Sequence, residues 1–504
     1  MGIFKKSSLP PYHPAKKPPY PGALSSDGIR GVYSNCFDLG ELPLYLGGDP
    51  AVRAQLFFID GLIATADVSL ALIAPLTDAL RLGAPRSEAE CIDLIANGAA
   101  GVCAMRRRTL LSDAADDLVR GCAVLVFDAE KTAFSFELKL PAQRSVGEPG
   151  SEKSIKGAKD AFIENLRINT ALVRRKLASP ALKLEQSIIG RKSRTAAALM
   201  YVDGIADPAL VAEARRRLSE IDVDGVLTTA EIEEALADSP RSPFPQLIHT
   251  ERPDKFALNL LEGRVGVIID GLPYGFLAPA TLPQLLKVPE DASNNFVTAS
   301  LITILRYVGL FITVLLPGLY VAVALYHQEM IPTKLLISII DSKQQVPFST
   351  FIEILAMLLA FELLQEAGLR LPDPIGQTVS IIGALIVGQS AVEARVVSPI
   401  AVIVVALAGI SGYTCPSADL GSVLRLMRLG CVFAAMAGGM YGIMCALAAL
   451  LWHLCSLESF GVPYLSPLTE GGLRAAVRAM MRPPLGTMKT RDGALHTGDV
   501  RMRR

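Results

Sequence analysis

The sequence predicts an α+β/α-helical membrane protein. Its N-terminal cytoplasmic half is two similar α/β subdomains joined by a long helix, and its C-terminal half is a bundle of transmembrane helices. Three observations carry this. The 504 residues are 51% hydrophobic with a mean hydropathy of +0.39, yet the charge is concentrated in residues 1–298. Residues 299–466 hold uncharged runs long enough to cross a bilayer. The first half also repeats itself. A wholly soluble chain, a disordered chain and a barrel of short alternating strands are excluded.

Residues 1–29 read as a Pro-rich, basic, disordered tail. SLPPYHPAKKPPYPG (8–22) is extended by its prolines, and Lys5, Lys6, Lys16 and Lys17 break any signal-peptide core. Residues 30–150 form the first α/β subdomain and 190–298 the second. QLFFIDGLIATADV (55–68) matches ALMYVDGIADPALV (198–211), placing Asp60-Gly61 on Asp203-Gly204 at an offset of 143. DLVRGCAVLVFD (117–128) matches NLLEGRVGVIID (259–270), placing Gly121 on Gly263 and Asp128 on Asp270 at an offset of 142. In each copy a strand runs into Asp-Gly and a helix. Later a helix ends at glycine, which tolerates positive φ there, and a strand follows. Residues 151–189 are the link. The spacing of Phe162, Leu166, Ile168, Leu172 and Val173 predicts one helix over 154–177.

Residues 299–468 form the polytopic membrane domain, with candidate segments 307–326, 351–368, 375–392, 396–413 and 429–452. The first has 20 uncharged residues, about 30 Å of helix. Residues 469–504 are a basic tail, which the positive-inside rule assigns to the cytoplasm. Both ends inside requires an even number of crossings. Five segments therefore need one exception, and 351–368 is the candidate because its carboxylates are costly in lipid.

That segment carries the candidate ion-path residues Glu353, Glu362 and Glu366. Glu362 and Glu366 share one helix face, suited to a ring of carboxylates in an oligomer; the plain alternative is an amphipathic helix with its acids in water. Gln377 and Gln389 join the ion-path candidates, although helix packing beside Gly376, Gly383 and Gly388 explains them more simply. Ala434, Gly438, Gly442 and Ala446 recur every four residues as a helix-packing ridge. Pro317 and Gly318 form a candidate hinge, or a kink compensated by neighbours. EIDVDGVLTTAE (220–231) mimics a calcium loop, but its alternating Ile221 and Val223 read as a strand and turn.

Lys+Arg 49 balance Asp+Glu 49, so no nucleic-acid partner is expected. Eight cysteines show no CxxC, and five histidines are too scattered to suggest a metal cluster. No phosphate-binding, nucleophile-elbow or metalloprotease motif occurs, so neither an enzyme nor a cofactor is expected.

Longer motifs add to this. ENLRINTALVRRKL (164–177), IGRKSRT (189–195), SPFPQ (242–246), TERPD (250–254) and LLEGRVGVIIDG (260–271) lie in the first half. LPGLYVAV (316–323), LQEAGLRLPDPIGQTV (364–379), IVGQSAVEARVVSPIAVIVVALAGI (386–410) and HLCSLESFGVPYLSPL (453–468) lie in the second. Over residues 30–468 the chain resembles the A subunits of bacterial spore germinant receptors, the GerA family. It departs at Lys156-Gly157, where the family has Arg-Gly, and at Ser349, where it often has Pro. The resemblance implies spore germination in the spore inner membrane, with a transporter-like B subunit, a lipoprotein C subunit, membrane lipid and further copies of the chain as partners. It implies an oligomeric, nutrient-gated cation pathway. A non-conducting scaffold and a secondary transporter are the alternatives, the latter disfavoured because no inverted repeat is visible.

Overall fold

The computed structural model describes residues 20–502 except 21, 51, 65–67, 83–84, 86, 99–103, 140–146, 148, 151, 153–155, 371–387, 470–471, 488–489 and 492. Its first half is built twice on one plan. The first unit contains α1 (Ser26–Val32), β1 (Leu39–Tyr45), β2 (Arg53–Ile59), α2 (Glu88–Ala96), β3 (Met105–Arg108), α3 (Leu111–Val119), β4 (Cys122–Phe127) and β5 (Thr132–Glu137). The second contains α4 (Leu166–Lys176), β6 (Leu182–Ile189), β7 (Thr195–Val202), α5 (Pro208–Glu220), α6 (Thr229–Leu236), β8 (Ile248–Thr250), α7 (Pro253–Glu262), β9 (Val265–Ile269) and β10 (Gly275–Ala278). The sheet orders are β1-β2-β4-β5-β3 and β6-β7-β9-β10-β8, antiparallel throughout. Leu39 and Leu182, Met105 and Ile248, Cys122 and Val265, and Thr132 and Gly275 begin equivalent strands 143 residues apart. The sequence repeat is thus a repeat of fold.

Both faces of each sheet are covered, so the central strands are apolar at every position rather than alternately. In β4, Leu125 and Phe127 face Leu72, Ile92 and Ile95, whereas Val124 and Val126 face Ile29, Ala114 and Leu118. In β9, Val267 and Ile269 face α5 and α6, while Ile268 faces α4 and α7. The aspartates that follow β4 and β9 cap the first helix of each unit. Asp128 accepts from the Ser26 amide at 2.6 Å and hydroxyl at 2.7 Å, and Asp270 accepts from the Leu166 amide at 2.9 Å. Negative charge at a helix N-terminus is favourable, which is why both turns keep Asp.

Three expectations need correction. The disordered tail does not reach residue 29, because Leu24 and Ile29 are buried in the first unit and α1 begins at Ser26. The link is not one helix over 154–177. Only α4 is helical there, and it is the counterpart of α1. Its start is fixed by Asn165, whose side chain accepts from the Ile168 amide at 3.2 Å, while Asn169 holds the preceding turn through the Ile163 amide at 2.9 Å. Residues 220–231 are also not a strand and turn. They join α5 to α6 as a loop, closed by a capping box between Thr228 and Glu231. Asp222 and Asp224 of that loop pair with Arg191, at 3.3 and 3.2 Å.

The units are joined through the edge strand β6. Cys36 bridges Leu184 in parallel, and the Phe37 amide donates to the Leu184 carbonyl at 3.0 Å. Beneath this seam Arg174 of α4 meets Asp38 at 2.5 and 2.7 Å.

The second half contains α8 (Phe296–Tyr326), α9 (Thr333–Lys343), α10 (Thr350–Arg370), α11 (Pro399–Gly412) and α12 (Ala418–Ser456). Two of these, α8 and α12, are long and apolar enough to cross a membrane. Most of the 375–392 segment lies outside the described residues. α12 is not straight: its backbone leaves helical geometry at Gly438 (φ −144°, ψ 16°) and Gly439 (φ 58°, ψ −135°). A straight helix of 39 residues would be about 58 Å long. Instead Asp419, near one end, touches His249, and His453, near the other, touches Ser242. Residues 242 and 249 are separated by at most about 25 Å of chain. The helix therefore folds back into two antiparallel arms, 418–437 and 440–456. After α12 the chain returns to the second unit through a hairpin, β11 (Glu458–Ser459) and β12 (Val462–Pro463). The helix α13 (Gly472–Met480) and a docked tail then follow. In that tail the Gly498 amide donates to the Ile205 carbonyl at 3.1 Å, and Arg491 Nε donates to the Leu261 carbonyl at 2.9 Å.

Candidate functional site

The three carboxylates of α10 have three different fates. Glu353 is 1% exposed and sits in the first turn of α10. Its Oε2 accepts from the Ser398 amide, the N-cap of α11, at 3.0 Å, and its Oε1 lies 3.8 Å from Lys343 Nζ of α9. Two helix N-termini and a lysine thus hold this charge, and it anchors three helices rather than facing an open passage. Glu362 is clasped by two guanidiniums. Arg425 Nη1 is 3.3 Å away, and Arg428, itself 1% exposed, donates from Nη2. A carboxylate between two arginines presents no net negative charge, so Glu362 is not a cation ligand in this arrangement. Glu366, one turn further, is exposed. Gln389 is exposed and donates to Glu393 at 3.1 Å, and Gln377 lies outside the described residues. The sequence reading missed Arg425 and Arg428. The available signal was their i, i+3 spacing immediately before the apolar run 429–452.

The hinge expectation moves from α8 to α12. α8 runs through Pro317 as one helix, and Gly318 marks a close approach: a Cβ there would lie 3.0 Å from the Cys431 carbonyl oxygen. The break is at Gly438-Gly439. The small-residue ridge is likewise not a single stripe. A Cβ on Gly442 would collide with the Ala434 carbonyl, although residues eight apart on one straight helix are separated by about 12 Å. Ala434 and Gly442 face each other across the fold, Gly438 turns in open space, and Ala446 packs on the core. The buried face toward α8 is Ala435, Gly439 and Ile443, with Gly439 against Tyr326 and His327. The Tyr326 hydroxyl donates to the Met436 carbonyl in the turn before the break.

Both arms end on the second soluble unit. At the start of the first arm, His249 Nδ1 lies 2.8 Å from Asp419 Oδ2 and 3.6 Å from Glu233 Oε1. Burial alone would lower the imidazole pKa, but the two carboxylates outweigh it and hold the group up at about 10. At the end of the second arm, Ser242 Oγ is 3.0 Å from His453 Nε2. The hairpin follows, its Ser459 hydroxyl donating to the Gln246 carbonyl at 2.7 Å and accepting from the Ala280 amide at 3.0 Å. Phe460 lies under Arg217 at 4.0 Å. Arg306 at the base of α8 binds Asp291 at 2.6 and 3.0 Å, and Arg482 reaches the Asp291 carbonyl at 2.6 Å. A cavity of about 240 Å³ lies between the two units, walled by Asp38, Asp60, Arg167, Thr170, Gln186 and Asp270. No sequence signal marks this junction, because several of its partners are more than 200 residues apart.

The family described as Bacillus/Clostridium GerA spore germination protein matches residues 27–494. The chain is 41% identical over 391 residues to the uncharacterized membrane protein YfkQ of Bacillus subtilis (strain 168), covering 78% of this chain and 76% of that one. It is 39% identical over 348 residues to spore germination protein B1 of the same organism, covering 69% and 72%. Among solved structures, the N-terminal domain of the A subunit of the Bacillus megaterium spore germinant receptor GerK3 matches at 30% identity. That match covers 50% of this chain and 92% of the domain, with a TM-score of 0.40.

Proposed function

Because the chain belongs to the GerA family of spore germination proteins, we propose that it is the A subunit of a nutrient germinant receptor in the spore inner membrane. In this reading it works with a transporter-like B subunit and a lipoprotein C subunit, and several copies surround a gated cation pathway. The soluble units and the docked tail share the cytoplasmic side. With the apolar segment 375–392 counted from its sequence alone, α8, α10, that segment, α11 and the two arms of α12 make six crossings, an even number. The observation that carries the mechanism is that both arms of α12 end on the second unit while packing along α8. A displacement of that unit is passed to two membrane helices at once.

The test is potassium release from spores exposed to a panel of nutrients, with and without this chain. Loss of release for one nutrient class is the expected result; unchanged release for every nutrient would overturn the receptor role. A second reading, a non-conducting relay subunit, is favoured by the clasp on Glu362. Reconstituted flux separates the two. Cation flux from the activated assembly that falls in Glu366→Gln, with the amount of assembled chain unchanged, supports conduction through this face, and absence of flux supports the relay.

A further inference from the structure

We propose that Glu233, His249 and Asp419 form a divalent-metal site that ties the second soluble unit to α12, and that it takes a first-row transition ion such as Zn2+ or Mn2+. The three ligand atoms lie within 4.8 Å of one another. His249 Nδ1 is 2.8 Å from Asp419 Oδ2 and 3.6 Å from Glu233 Oε1. Ligands about 2.0–2.2 Å from one ion are themselves roughly 3.0–3.5 Å apart, so these atoms need little movement to share it.

Each ligand is on a fixed element. Glu233 is on α6, held by its capping box. His249 is the central residue of β8, in register with Phe276 of β10. Asp419 is in the first turn of α12, whose N-cap Ser417 accepts from the Leu420 amide at 3.4 Å. Groups positioned in this way lose little freedom on binding. A cavity of about 50 Å³ beside His249 and Asp419 leaves room for a coordinated water. Across it Glu152 and Lys255 satisfy each other at 2.6 Å and do not compete.

The donor set is one imidazole nitrogen, which releases its proton to solvent as the ion binds, and two carboxylate oxygens. The imidazole suits Zn2+ and the two carboxylates also admit Mn2+, whereas Ca2+ and Mg2+ prefer oxygen alone. A divalent ion also balances both carboxylates. The consequence is a metal-dependent grip between the soluble half and one membrane arm.

The experiment uses the full chain in detergent micelles after chelation. Zn2+ is titrated by calorimetry, and Mn2+ by electron paramagnetic resonance. The expected result is one ion per chain, with Glu233→Gln, His249→Gln and Asp419→Asn each weakening binding by about a hundred-fold or more and Glu152→Gln leaving it unchanged. No saturable binding, or binding indifferent to all three substitutions, would overturn the site. Co2+ loading of the unsubstituted chain tests it without any variant. Visible ligand-field bands without a near-ultraviolet thiolate band are expected, whereas a thiolate band would show that the ion sits on cysteine and sink the proposal.

Discussion

Arg174 is wholly buried, and among the described residues its carboxylate partner is Asp38, 4% exposed, at 2.5 and 2.7 Å. A third bond runs to the Leu182 carbonyl at 3.1 Å. Replacing one member of such a pair strands the other in a dry seam, at a cost of about 3–5 kcal/mol. Asp38→Ala is therefore expected to lower the midpoint of a circular-dichroism melt of the purified chain. The double change Asp38→Ala/Arg174→Met is expected to recover part of the loss. The same logic applies to Glu362→Gln, which leaves the buried Arg428 beside Arg425. Chain recovered from membranes, measured by immunoblot, should fall, and Glu362→Gln/Arg428→Met should restore it. The sequence showed Arg174 as a basic residue at a helix end and Glu362 as an unpaired acid. Their partners lie 136 and 66 residues away, and pairing at that range is a tertiary property.

Among the elements, the duplicated unit was the most legible. Asp-Gly turns and a glycine ending a helix are local chemistry, and they recurred at a nearly constant offset, so three of the five strands in each unit could be read without coordinates, while β1 and β3 and their counterparts β6 and β8 could not. The fold of α12 was not legible. Leu429–Trp452 is uncharged throughout and gives the hydropathy of a single span. What divides it is Gly439, whose φ of 58° with ψ of −135° is a conformation that only glycine adopts readily. A side chain there also meets Tyr326 and His327, about 3 Å away. Gly439→Ala is expected to cost roughly 1–3 kcal/mol and to lower the detergent melting midpoint. Gly438→Ala, in open space and at negative φ, should cost less. Equal effects would contradict the assignment of the turn. The last of the five apolar segments read from the sequence is thus two helical arms rather than one.

For the whole molecule, the connection between halves is made of contacts distant in sequence. The tail is one of them. Thr497 is 7% exposed and lies against Gly263, the left-handed residue that ends α7. Truncation after residue 484 is expected to raise amide hydrogen exchange around Ile205 and Leu261, with the first unit unaffected; unchanged exchange would show that the tail contributes nothing to the second unit. This basic segment read in the sequence as a simple cytoplasmic tail, because composition reports charge and not docking. The Ser459 hydroxyl, meanwhile, satisfies both the Ala280 amide and the Gln246 carbonyl. It is synthesised 179 residues after Ala280. Between the two, the ribosome makes every membrane helix. The second soluble unit is therefore left with open backbone groups until those helices have entered the bilayer and delivered the hairpin back to it. Completion of that unit becomes a record of how the helices before the hairpin were placed, and a chain whose helices are placed wrongly leaves the Ala280 amide and the Gln246 carbonyl without the Ser459 hydroxyl.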